Sequence, residues 1–163
     1  DWEAPDTQVI NLEFDNNTAM TWEGRSCNGR TIEGSSVGVI FYGDTGSLQI
    51  GEGNTYTVYD LENKLVKEVK NDFVIDPRNK MNPSQGLDAL HIQNFFEGIK
   101  NGATLNAEIV GGHKSTLLAQ LGNIAIRTGE TLHIDPSNGH IKNSKEAAKL
   151  WKREYEKGWE PTV

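Results

Sequence analysis

Alternation of apolar and polar side chains is the first pattern along the chain. From Thr7 to Phe14, Ile10, Leu12 and Phe14 fall on one side and Asn11 and Glu13 on the other. A two-residue period is the mark of a half-buried strand. Asn16-Asn17 follows as a turn, because Asn tolerates positive φ. Thr18 to Arg25 reads as the return strand of a hairpin, with Met20 and Trp22 facing one way. The Gly-rich, polar stretch Ser26 to Ser36 reads as a loop. Val37 to Tyr42 is apolar on both sides and predicts a strand covered on each face. Turns at Asp44-Thr45-Gly46, Gly51–Asn54 and Leu61–Lys64 separate further short strands around Leu48 and Ile50, Tyr56 to Tyr59, and Leu65 to Val69. Hairpin-length turns between strands predict a mostly antiparallel sheet of about six strands.

The period then changes. Asn71 to Gly86, with Pro77 and Pro83, reads as a crossover, and Ser84 or Asp88 as the start of a helix. Ile92, Phe95, Phe96 and Ile99 recur at steps of three and four, and Asn101-Gly102 closes that helix. A second helix carries Leu117, Leu118, Leu121, Ile124, Ala125 and Thr128 and ends at Gly129. Leu132 to Ile134 reads as a short strand. Ser144 caps a third helix with a stripe of Ala147, Ala148, Trp151 and Tyr155, closed by Lys157-Gly158. Strands first and helices afterwards predict an α+β domain with the helices packed on one face of the sheet.

Length and charge narrow the field. At 163 residues the chain fits a single domain with a core of its own. A net charge of −7 argues against nucleic acid and anionic membrane as partners. No apolar run approaches the roughly 20 residues that span a bilayer. The start at Asp1 rather than Met suggests a processed protein or a piece of a longer one. One cysteine, Cys27, allows no internal disulfide and leaves the compartment open.

Chemistry is sparse. There is no GxxxxGK[ST], and Gly51-Glu52-Gly53 lacks the third glycine of a dinucleotide fingerprint. His91, His113, His133 and His140 show no metal-ligand spacing. Cys27 lies between Arg25 and Arg30, whose charges favour a thiolate, although an ordinary loop thiol fits the same residues. Gly111-Gly112-His113-Lys114-Ser115 precedes the second apolar run. Backbone N–H groups of such glycines can face an anion, or the pair can simply make a tight turn. Arg25, Asn28 and Arg30 form a second polar group, able to fork to hydroxyls or carboxylates, or merely to sit in water.

Four stretches carry a resemblance: TWEGRSCNGR (Thr21–Arg30), GVIFYGDTGSL (Gly38–Leu48), HIQNFFEGIKNG (His91–Gly102) and GHKSTLLAQLGNIAIRTGETLHIDP (Gly112–Pro136). In this order they resemble the C-terminal domain of the glucose-fructose oxidoreductase / inositol dehydrogenase (Gfo/Idh/MocA) family. The ending EAAKLWKREYEKGWEP (Glu146–Pro161) is similar to that of secreted or sugar-metabolising bacterial members. The resemblance implies a substrate and assembly domain, residues 1–163, of an NAD(P)-dependent sugar or polyol oxidoreductase. Its cofactor domain and catalytic lysine would precede Asp1, so no catalytic residue and no cofactor-binding residue is carried onto this chain. NAD or NADP is expected in the full-length protein, in the bacterial periplasm or cytoplasm. Arg25, Asn28, Arg30 and His113 are the residues expected to line a sugar pocket. Two alternatives stand beside this reading: a stand-alone carbohydrate-binding or protein-interaction module, and part of an NAD-dependent glycoside hydrolase. A dinucleotide fingerprint upstream of Asp1 would distinguish enzyme from module. Apolar residues on both faces of the sheet further predict a homo-oligomer assembled through it.

Overall fold

Strand β1 (Thr7–Glu13) pairs with β2 (Ala19–Arg25), and the alternation of the sequence is visible in the exposure of β1 but not of β2, which is exposed from Ala19 to Glu23. Gln8, Ile10 and Leu12 are half-buried, whereas their odd-numbered neighbours are exposed. Thr21 Oγ1 donates 2.9 Å to Asn11 Oδ1 across the pair. The turn is a three-residue loop in which Asn17 adopts a φ of 62°, and Phe14 N donates to Thr18 O at 3.0 Å. A short amide side chain makes that left-handed conformation accessible to Asn. The computed structural model describes residues 5–52, 55–70 and 85–160.

Strands β3 (Val39–Gly43), β4 (Gly46–Ile50), β5 (Tyr56–Tyr59) and β6 (Leu65–Val69) form an antiparallel meander in chain order. Gly43 faces Gly46 across the two-residue turn Asp44-Thr45. The β5–β6 turn repeats the first hairpin's solution. Asn63 adopts a φ of 62°, and Asp60 Oδ1 accepts from the amides of Glu62 (3.1 Å) and Lys64 (2.8 Å). The register sets the two faces. Val39, Ile50, Tyr56 and Val69 form one row, and Phe41, Leu48, Val58 and Lys67 the next row on the same side. Ile40 and Tyr42 lie on the other side with Gln49, Thr57, Ser47 and Tyr59. The cover expected on both faces of this strand is absent from the described residues, where Phe41 and Tyr42 are exposed on opposite sides.

Helix α1 (Gln85–Asn101) ends as expected, with Gly102 at a φ of 67°. Helix α2 (Ile109–Thr128) ends at Gly129, φ 66°, whose N–H donates to Ala125 O. Helix α3 (Lys145–Lys149) is capped by Ser144, whose side chain accepts from Ala147 N at 3.1 Å. Among the described residues the fold is α+β, with six antiparallel strands divided between a two-stranded and a four-stranded sheet. Among the described residues no helix is long and apolar enough to cross a membrane.

The contacts gather the chain into two units, one around Val9–Trp22 with the chain from Ala107, the other around Glu23–Asn106. In the first, α2 lies on β1. A Cβ placed on Gly122 would collide with the Ile10 side chain, so the missing side chain is what lets helix and strand approach. Leu121, Ile124, Ile141 and Ala147 are the buried core there, with Leu117, Leu132, Ile134 and Trp151 packed against it. In the second, α1 carries its apolar stripe half-exposed: Ile92 53%, Phe95 53%, Phe96 52% and Ile99 65%. Leu105 folds back to within reach of Gly98, and Asn94 fixes that return, donating to Thr104 O (2.9 Å) and accepting from Asn106 N (2.8 Å).

Several boundaries differ from the sequence reading. The third helix stops at Lys149, so Trp151 and Tyr155 lie beyond it. Trp151 Nε1 instead donates 2.8 Å to Gly139 O, and its indole stacks 4.3 Å from the His140 ring. The strand expected at Leu132 to Ile134 reduces to one bridge, Ile134 with Ile141. Between them Asp135 builds a turn: its carboxylate accepts from the Ser137 hydroxyl (2.7 Å) and the Ser137 N–H (2.9 Å). Those two bonds, aided by Lys142 and His140, hold its pKa below the usual carboxylate value. Val37 precedes β3 and is exposed. The expected crossover from Asn71, the cap at Ser84 and part of the Gly51–Asn54 turn lie outside the described residues.

Candidate functional site

Three of the four expected pocket residues share one turn. Arg25 ends β2, half-buried, with Nε 2.9 Å from Glu23 Oε1. Two residues apart on a strand, these side chains point the same way, so the pairing follows from the pleat. The chain then reverses. Asn28 N donates to Arg25 O at 3.1 Å, and Asn28 Oδ1 accepts from Arg30 N at 2.9 Å. Asn closes such a turn on its own backbone. Ser26 N donates to Asp6 O at 2.8 Å, which ties the turn to the start of β1. Cys27 is exposed beside it, its Sγ 3.4 Å from Thr7 Oγ1. With its carbonyl oxygen used in the turn, Asn28 keeps its NH₂ for an external acceptor. Among the described residues the Arg30 guanidinium has no ion-pair partner, whereas Arg25 is already engaged.

His113 belongs elsewhere. It is exposed in the second turn of α2, within the other unit, and not in a loop before the helix as its sequence context suggested. Gly111 and Gly112 are likewise helical. The residue that the sequence reading missed is Glu108. It caps α2, accepting from Val110 N at 2.8 Å and Gly111 N at 2.7 Å. Of the two glycine amides able to face an anion, Gly111 N–H is thus already held by the Glu108 carboxylate and Gly112 N–H by the Glu108 carbonyl oxygen, 3.1 Å away. Glu is an uncommon cap. Its one sequence signal is an acidic residue just ahead of an apolar pair, Ile109-Val110.

This arrangement limits the chemistry. A dinucleotide needs free N–H groups and positive potential at a helix start for its phosphates. The start of α2 presents Glu108 there, so these residues do not fit that group. No cluster of three His, Cys, Asp or Glu side chains able to hold a metal occurs among the described residues. The Arg25–Arg30 turn can donate hydrogen bonds to hydroxyl or carboxylate oxygens; it assembles no acid–base pair.

The cap gives a direct test. Glu108→Ala removes both bonds to the first turn of α2 and is expected to cost about 1 kcal/mol, the usual value of a lost cap. Thermal unfolding followed by circular dichroism measures it. An unchanged midpoint would show that water replaces the carboxylate without loss.

Comparison with known proteins agrees with the order of elements. The chain matches the model of an oxidoreductase family, C-terminal alpha/beta domain, over residues 42–161 of its 163. No curated protein and no solved structure gave a significant match. The matched span contains the meander from the end of β3 and helices α1, α2 and α3. The chain therefore belongs to the Gfo/Idh/MocA oxidoreductase family and contains that family's C-terminal α/β domain.

Proposed function

We propose that this chain is the substrate and assembly domain of an NAD(P)-dependent sugar or polyol oxidoreductase. The observation that carries the reading is the family match over residues 42–161. In the two-part plan of that family, a separate N-terminal domain would bind the nicotinamide cofactor and supply the catalytic lysine. The present chain would shape the substrate pocket as one domain. Arg25, Asn28 and Arg30 are the polar contacts proposed for substrate oxygens, and His113 is a fourth candidate on α2. Of the three on the turn, Arg30 and the Asn28 NH₂ need surrender no side-chain partner to bind, whereas Arg25 would share its guanidinium with Glu23.

Calorimetric titration of this chain with NAD and NADP is expected to give no micromolar binding, because the described residues offer no phosphate cradle. The full-length protein is expected to bind one of them and to reduce it with a sugar or polyol. Micromolar cofactor binding by the chain alone would overturn the division of labour. A full-length protein without turnover on any sugar or polyol would overturn the substrate class.

Assembly through the four-stranded sheet is the second part of the proposal. Val39, Phe41 and Ile50 are 42%, 55% and 38% exposed and adjoin one another on one face of the sheet. Contiguous apolar area of this kind is uncommon on a soluble monomer. A standard interface removes roughly 800 Å² per partner, and at about 25 cal/mol per Å² the apolar share of that area favours association. Light scattering across a dilution series is expected to show dimer or larger. A monomer at every concentration would refute it.

A further inference from the structure

We draw no further inference here: the strongest candidate, the half-exposed apolar stripe of helix α1 formed by Ile92, Phe95, Phe96 and Ile99, carries none because nothing in the structure shows what covers it.

Discussion

Replacing Gly46 by alanine is expected to cost about 3 kcal/mol or more, enough to dismantle the β3–β4 hairpin. Two effects add at this position. Gly46 has a φ of 150°, which residues with a Cβ rarely adopt. In addition, a Cβ built there lands on the carbonyl oxygen of Tyr59, 3.1 Å from its carbon and 3.3 Å from Asp60 Cα. The obstacle is backbone on the neighbouring strand, so no rotamer change relieves it. Either β5 withdraws and surrenders the pairing of Ser47 with Tyr59, or the turn rebuilds. Losses of that size belong to strained backbone and overpacking. Denaturant unfolding of Gly46→Ala beside Gly43→Ala would measure it. A Cβ at Gly43 meets only Gly46 O at 3.6 Å and should be tolerated far better. Equal stability of the two variants would refute the argument.

Helix α2 offers a similar contrast. Gly112 and Gly122 are both helical, and alanine at either gains about 1 kcal/mol of helix propensity. At Gly112 the added methyl meets nothing within 4 Å, so Gly112→Ala should stabilise by most of that amount. At Gly122 it runs into Ile10 Cδ1 and stands 3.1 Å from both Cγ1 and Cγ2. Ile10 is stiff at χ1, and its whole branch must move. Gly122→Val adds two further methyl groups and keeps only a small part of alanine's propensity gain, so a net loss of about 2–3 kcal/mol is expected from overpacking. Melting temperatures of the two variants should move in opposite directions. If Gly122→Val melts with the parent, Ile10 does not rest on α2.

The strands were readable because a period of two survives partial burial, and because their turns use residues with a local reason to turn. Asn17 and Asn63 both reach φ 62° in three-residue loops. Helix ends with glycine, at Gly102 and Gly129, were equally plain. The third helix was overextended for a physical reason. Trp151 and Tyr155 stand four residues apart, which mimics a helical stripe. The packing of Trp151 is onto the 134–141 hairpin, through Gly139 O and His140, and the backbone leaves the helix at Leu150 to allow it. Spacing alone cannot tell a stripe from a clasp. The site was legible in part. The Gly-rich stretch Ser26 to Ser36 read as a loop, and its first residues make the turn that carries Arg25, Asn28 and Arg30. The one signal for Glu108, an acidic residue ahead of Ile109-Val110, does not by itself announce a cap, since a Glu ahead of a helix is usually only a charge near its dipole.

The meander and the hairpin–helix contact differ in when they can form. Each neighbouring pair among β3 to β6 joins residues separated by a short turn, so little chain entropy opposes closure. The contact of Ile10 with Gly122 joins residues far apart in sequence. Contacts of long sequence separation slow folding. During synthesis the four-stranded sheet and the β1–β2 hairpin can both be complete while α2 is still unmade, and Ile10 must wait for its cover. The N-terminal hairpin, with Trp22 47% and Phe14 42% exposed even in the finished fold, is therefore the segment open longest to wrong partners on the ribosome.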